Sequence, residues 1–161
     1  MTLIIKEATV HESDLIYQIM LASFQEYSGK LTPPSGALHE TVEHTMRTFE
    51  VGGGAVLAWE EGNAVGSARY KLVDDYMYIG RVSVLPEYRG RGICKALLRR
   101  VESIAQQQGI AESRVEVRLS IPENIAMYQK FKYEVVEQKF YPEGTDSWYV
   151  MRKILSDAMA E

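Results

Sequence analysis

The sequence predicts an α+β fold, a central mixed and mostly antiparallel sheet of about seven strands with about four helices. Three observations carry that reading. Residues 55–85 alternate apolar and polar side chains with a period of two, in three runs joined by short turns. Residues 82–98 pass from a strand through a basic, glycine-bearing loop into a helix. Residues 114–119 then resume the period of two, and a strand reached across a long helix lies most naturally parallel to its predecessor.

From the start of the chain, Leu3 to Ala8 reads as a short strand, and Thr9 with Glu12 forms a capping-box pattern. The helix that follows places Leu15, Ile16, Ile19, Met20, Ser23, Phe24 and Tyr27 on one stripe. Residues 28–36, with two glycines and two prolines, form a loop suited to covering a substrate. A second helix is expected over 37–50, with Leu38, Val42, Met46 and Phe49 on one side and Gly52, Gly53 and Gly54 ending it. Strands Ala55–Trp59, Val65–Val73 and Tyr76–Leu85 make a meander, turning at Glu60 to Asn63 and at Asp74-Asp75.

The third helix buries Ile93, Leu97, Val101 and Ile104, turns Arg99, Glu102, Ser103 and Gln106 away, and stops at Gly109. In the next strand Val115, Val117 and Leu119 alternate with Arg114, Glu116 and Arg118. The segment from Pro122 to Tyr133 holds a fourth helix. Tyr133–Val136 and Trp148–Ile154 close the sheet as a hairpin with Pro142-Glu143-Gly144 in its turn. One domain over 1–155 and a loose tail over 156–161 are expected.

With 161 residues, the chain can bury a core without metal or disulfide staples. No apolar run approaches the about 18 residues of a membrane span. A net charge of −4 argues against a nucleic-acid partner and tilts the chain toward a cationic substrate. Cys94 is the single cysteine, so no intramolecular disulfide forms. With no apolar N-terminal signal segment, the chain reads as cytoplasmic. No metal and no membrane partner are expected, and the sequence leaves monomer or homodimer open.

The loop at 89–95 carries the chemistry. Gly90 and Gly92 let the backbone coil with its N–H groups bare, the next helix aims its positive end there, and Arg89, Arg91 and Lys95 add charge. This is an anion cradle, yet it has no G-x-x-x-x-G-K-[ST], and Lys95 stands where G-x-G-x-x-G needs its third glycine. The antiparallel strands before it also disfavour a dinucleotide-binding domain.

The segment from Val82 to Leu98, with Arg89 opening the turn and Gly92 at its centre, resembles the acyl-CoA-binding segment of the GCN5-related N-acetyltransferases, the GNAT family. Asn124 to Tyr133 resembles that family's Asn-x-x-x-Tyr-x-x-x-Gly-Tyr, with Lys132 in place of the glycine, so the bend there needs left-handed strain or another geometry. The element order also matches the family's.

The resemblance implies a GNAT-like fold whose parallel strands splay into an acyl-CoA cleft. It implies transfer from acetyl-CoA to an amine by direct attack in a ternary complex. The main chain of Val82, Ser83 and Val84 would meet the pantetheine arm. Arg89, Gly90, Arg91, Gly92, Ile93, Cys94 and Lys95 would hold pyrophosphate, and Asn124 would bond the cofactor amides or cap its helix. Tyr128 would protonate the leaving thiolate; read from the residues alone, a core tyrosine bonded by Asn124 is the favoured reading.

For the general base, Glu116 comes first because it lies on the splayed strand, followed by Glu26 and His39 beside the 28–36 loop. Phe24, Glu26, Tyr27 and His39 are the candidate substrate contacts, and Tyr141 and Trp148 either line the acceptor pocket or pair within their hairpin. Cys94 fills a position where the family has glycine or alanine. It sits about 15 Å from the thioester end of an extended pantetheine, which argues against an acyl-enzyme. The expected acceptor is a small-molecule amine. A protein N-terminus or lysine, and a non-catalytic CoA-binding module, are the alternatives.

Overall fold

The computed structural model describes residues 2–155, and the tail expected at 156–161 lies outside them. Seven strands form one sheet: β1 (Leu3–Glu7), β2 (Gly53–Glu60), β3 (Asn63–Val73), β4 (Tyr76–Val84), β5 (Glu112–Arg118), β6 (Glu134–Phe140) and β7 (Ser147–Ile154). Their order is β1-β2-β3-β4-β5-β7-β6. Four α-helices accompany them: α1 (Ser13–Phe24), α2 (Val42–Arg47), α3 (Ile93–Gln107) and α4 (Pro122–Lys130). Every neighbouring pair is antiparallel except β4 and β5, which lie parallel as the crossover through α3 requires. No helix among the described residues is long and apolar enough to cross a membrane.

The sheet is covered on both faces. Val56, Ala58, Met77 and Ile79 meet Leu97, Leu98, Val101 and Ile104 of α3, whereas Ala55 and Leu57 meet Ile16 and Ile19 of α1. The alternation in β2 therefore divides one strand between two cores, as the two-residue period of side chains dictates. The capping box forms as the sequence suggests, with the Thr9 N–H donating to Glu12 Oε1 at 2.9 Å. Here it opens a short 3-10 turn, Val10–Glu12, ahead of α1.

Some expectations are corrected. The single helix expected over 37–50 is instead a 3-10 turn, Gly36–His39, and then α2, broken at Glu40 with ψ near 161°. Thr41 caps α2, its N–H donating to His44 Nδ1 at 3.1 Å, and that local bond competes with a continuous helix. Gly53 and Gly54, expected to end the helix, begin β2. A side chain on Gly54 would collide with the Tyr70 ring, 2.5 Å from its hydroxyl. Glu102 does not face solvent but is buried on α3, accepting hydrogen bonds from Lys153 Nζ and the Tyr133 hydroxyl, each at 2.9 Å. Charge pairing across two elements overrides the position of Glu102 on the helix wheel. β5 ends at Arg118 rather than Leu119, and β6 runs on to Phe140.

Candidate active site

The parallel pairing of β4 with β5 is short. It holds at Met77 with Ser113 and Tyr78 with Arg114 and then stops, although both strands continue. From Ile79 to Val84 the edge of β4 that faces β5 has no ladder partner, which leaves room for an added strand, although the Arg81 carbonyl accepts from the Ser83 hydroxyl and the Val84 carbonyl from Arg89.

On its other edge β4 carries a bulge. Between Ser67–Ser83 and Arg69–Gly80 the partner strand advances two residues and β4 three, which places the extra residue at Arg81–Val82. Arg81 takes φ +49°, a left-handed conformation rare for a residue with a side chain. Glu40 holds it there, accepting from Arg81 Nε at 2.6 Å and from Arg69 Nη1 at 2.7 Å. Burial alone would raise the Glu40 carboxyl, but Arg81 and Arg69 outweigh it and keep it below the ordinary carboxylate range.

A cavity of about 260 Å3 opens at the splay. β4 contributes Tyr78 to Val82, β5 contributes Glu116 and Arg118, α4 contributes Asn124 and Tyr128, and the 28–36 loop contributes Leu31, Ser35 and Gly36. Phe24, Tyr27, Tyr141 and Trp148 also line it, so the two hairpin aromatics lie both against each other, with rings 4.8 Å apart, and on the cavity. Glu116 also borders a second cavity of about 430 Å3.

Tyr78 lies beside Glu116. Burial and then the adjacent carboxylate push its phenol up to about 12, so it keeps its proton throughout the neutral range. The signal for Tyr78 in the sequence is Gly80, because a Cβ there would lie 2.8 Å from the tyrosine ring.

Tyr128 is buried, and no described group hydrogen-bonds its hydroxyl. Burial first, then the neighbouring Cys94, Tyr133 and Tyr78, lift its pKa well above 10. Asn124 makes no hydrogen bond to Tyr128; it lies near the Tyr27 hydroxyl and partly offsets burial and the Glu26 charge, which together raise Tyr27.

The loop after β4 is built from main chain. Gly90 and Gly92 hold φ +77° and +80°, and a Cβ on either would project into open space. The Ala96 N–H is the first in α3 to bond back, to the Gly92 carbonyl at 3.0 Å, so those of Ile93, Cys94 and Lys95 have no helical partner.

The side chains here divide. Arg89 is committed to the end of α1, donating to Glu26 Oε1 at 2.6 Å and to the Ser23 carbonyl at 2.9 Å, with Nε on the Val84 carbonyl at 3.3 Å. Arg91 lies over the Tyr88 ring and bonds Glu60 at 3.1 Å. Lys95 is exposed. The Cys94 side chain packs into the core, where burial raises its thiol to about 11 against the pull of the helix terminus. Glu26 thus joins the loop to α1 and does not line the cavity, and His39 is exposed away from both cavities.

The sequence model of the acetyltransferase (GNAT) family matches residues 14–133. Among curated proteins of Bacillus subtilis (strain 168), the uncharacterized protein YyaT is 25% identical over 89 residues, 55% of this chain and 58% of that protein. A putative acetyltransferase of the same organism is 26% identical over a stretch of equal length. The match thus spans little more than half the length of either relative. Among solved structures, the ribosomal-protein-S18-alanine N-acetyltransferase of Escherichia coli is similar, with TM-score 0.79 and 17% identity over 98% of this chain and 96% of that one. The PaiA N-acetyltransferase of Thermoplasma acidophilum, in complex with coenzyme A, gives TM-score 0.76 and 18% identity over 96% and 99%. At these identities the likeness to solved structures is one of fold.

Proposed function

The chain belongs to the GNAT family of acetyltransferases, and from that premise we propose that it moves the acetyl group of acetyl-CoA to a primary amine of a small molecule, by direct attack in a ternary complex. The observation that carries this is the early end of the β4–β5 ladder, with Glu116 and Tyr128 on different walls of the cavity that opens there.

The residues present fit acetyl-CoA. The open N–H groups of Ile93, Cys94 and Lys95, under a turn where a Cβ would occupy free space, suit a pyrophosphate, with Lys95 adding charge. Arg89 supports this by tying the loop to α1. The unpaired edge of β4 at Val82, Ser83 and Val84 suits an extended amide-bearing arm, with Asn124 near its end. When bound, acetyl-CoA supplies the acyl group as an activated thioester.

The protein's own groups then have definite tasks. Glu116 takes the proton from the amine nitrogen as the N–C bond forms and the C–S bond breaks, with the protonated Tyr78 phenol beside it as a donor for the carboxylate. Main-chain donors freed by the bulge at Arg81–Val82 offset negative charge developing on the acyl oxygen. Tyr128 keeps its proton at neutral pH and donates a hydrogen bond to the departing sulfur. Because its pKa lies above 10 and that of an ordinary thiol is about 8.5, complete transfer is uphill by more than about 2 kcal/mol. Hydrogen bonding rather than full protonation is its contribution. Coverage of the cavity by Leu31, Ser35 and Gly36 supports a small acceptor.

Calorimetric titration with acetyl-CoA, followed by a screen of free amines and short peptides for CoA release, tests this. Saturable binding with turnover of free amines is expected, and absence of binding would end the reading. Tyr128→Phe is expected to lower kcat at least tenfold with acetyl-CoA affinity retained. The wild-type rate should show no alkaline loss from Tyr128 below about pH 10, since its proton leaves only above that. Unchanged kcat in the variant would remove Tyr128 from this role.

A further inference from the structure

We propose that the acceptor is an amine that also bears an oxyanion such as a carboxylate, held by Arg47, Lys71 and Arg81 in the cavity beyond Glu116. This rests on the acetyl-transfer reading above and names its substrate class.

The cavity of about 430 Å3 shares Tyr78, Gly80, Arg81 and Glu116 with the cavity at the splay, so the two are chambers of one site that meet at Glu116. None of the 89–95 loop lines the larger chamber, which sets it apart from the cradle for pyrophosphate. An amine nitrogen that meets Glu116 has this chamber for the rest of its molecule, and its volume suits a small molecule.

The chamber's charge runs against that of the chain. The whole sequence carries −4, which favours cationic ligands at long range. Four cations line this chamber, Arg47, Arg69, Lys71 and Arg81, and only two carboxylates, Glu50 and Glu116. A third carboxylate, Glu40, is shared between Arg69 and Arg81, so the clamp as a whole keeps one positive charge. Arg47 and Lys71 enter no ion pair among the described residues.

The ladder fixes which way these groups face. Lys71 lies opposite Tyr78 and Arg69 opposite Gly80, and directly opposed residues share a face of the sheet. Tyr78, which lines both chambers with Glu116, therefore shares its face with Lys71. Arg81 has its Nε on Glu40 at 2.6 Å, and a Cβ on Gly36 of the covering loop would lie 3.2 Å from its Nη2. Nη2 thus lies at the covering loop, with Arg81 bordering both chambers. When Glu116 takes up the amine proton its charge is cancelled, and the positive excess grows as the reaction proceeds. An oxyanion on the acceptor offsets that excess, whereas a diamine adds to it.

The test measures CoA release with matched probes: α-amino acids and ω-amino acids of three to six carbons, their primary amides, and diamines of the same lengths. The best carboxylate probe is expected to exceed its amide at least tenfold in kcat/KM. Arg47→Met and Lys71→Met are expected to bring the two toward parity, mainly through KM, while calorimetry shows unchanged affinity for acetyl-CoA. Both side chains are exposed, so loss of fold is not expected, and circular dichroism checks it. Calorimetry of the same probes against the acetyl-CoA-free protein gives a readout independent of turnover. Amides or diamines that match or exceed the carboxylates, or variants that keep the carboxylate preference, would overturn the proposal. If acetyl-CoA binds and only uncharged amines react, the anion site fails alone. If acetyl-CoA does not bind, the acetyl-transfer reading fails and the proposal with it.

Discussion

The C-terminal end and the middle of β4 are built by different means. Its C-terminal end runs into the 89–95 loop and α3, where the binding groups are main-chain N–H donors set by two left-handed glycines and a helix start. Its middle, Tyr78 to Arg81, is held by side chains from far along the chain, with Glu40 joined to Arg69 and Arg81 and Tyr78 beside Glu116. A main-chain site is specified by contiguous residues and tolerates variation in side chains between the glycines. A side-chain site depends on a few long-range pairs, each of which is vulnerable to one substitution.

Breaking the clamp should therefore cost most. Glu40→Ala leaves the buried Arg69 and the partly exposed Arg81 without their shared carboxylate, and is expected to destabilise the fold by about 2 kcal/mol, lowering Tm by roughly 4 to 8 °C. The bulge at Arg81 should relax with it, so kcat falls further than acetyl-CoA affinity. Because Glu40 is held below its usual value of 4.5, its stabilisation is present above that pH and is lost as pH falls through the folded-state value. Acid unfolding of the variant should accordingly begin from a lower plateau and show a shallower pH dependence. A thermal melt of Glu40→Ala that matches wild type at pH 7 would show that the clamp is not what holds this region.

At the main-chain end, Gly92→Val is expected to cost about 1 to 2 kcal/mol through its backbone alone, since nothing lies within 4 Å of a Cβ at that position. The same side chain would stand over the open N–H groups, so acetyl-CoA should bind at least tenfold more weakly. Full affinity in calorimetry would place the anion elsewhere. Substitution of Lys95 should do less, because it contributes only charge.

This contrast also explains what could be read from the sequence. The strand–loop–helix unit, the meander and the crossover were legible because period, glycine placement and capping are local properties of Val82 to Leu98 and of residues 55–85. Glu40 was not, being one charged residue in a stretch that resembles helix, and its role appears only when the chain bends to bring it against partners 29 and 41 positions away. Arg89 was legible as a member of the loop, but its bonds to Ser23 and Glu26 depend on a contact 63 or more residues distant. Tyr78 left a faint trace in Gly80, which can be interpreted only once the ring is seen to lie across it.

Lys132 offers the smallest effect and the sharpest separation of fold from chemistry. α4 ends in a Schellman arrangement, with the Tyr133 N–H on the Tyr128 carbonyl at 3.0 Å and the Lys132 N–H on the Gln129 carbonyl at 3.1 Å. That geometry requires the left-handed φ of +77° that Lys132 adopts, the first of the two alternatives expected from the missing glycine. The turn also seats the Tyr133 ring edge-on against Tyr128, centroids 5.7 Å apart, so the proposed donor is positioned by the residue that follows the strain. Lys132→Gly removes a conformational cost of about 1 to 2 kcal/mol and returns part of it through the freer unfolded chain, for a net gain of about 0.5 to 1 kcal/mol. Tm should rise by a few degrees with kcat unchanged. A rise in Tm with a fall in kcat would mean that the strained turn itself sets the position of Tyr128. A fall in Tm would mean that the Lys132 side chain stabilises the fold by more than its backbone costs.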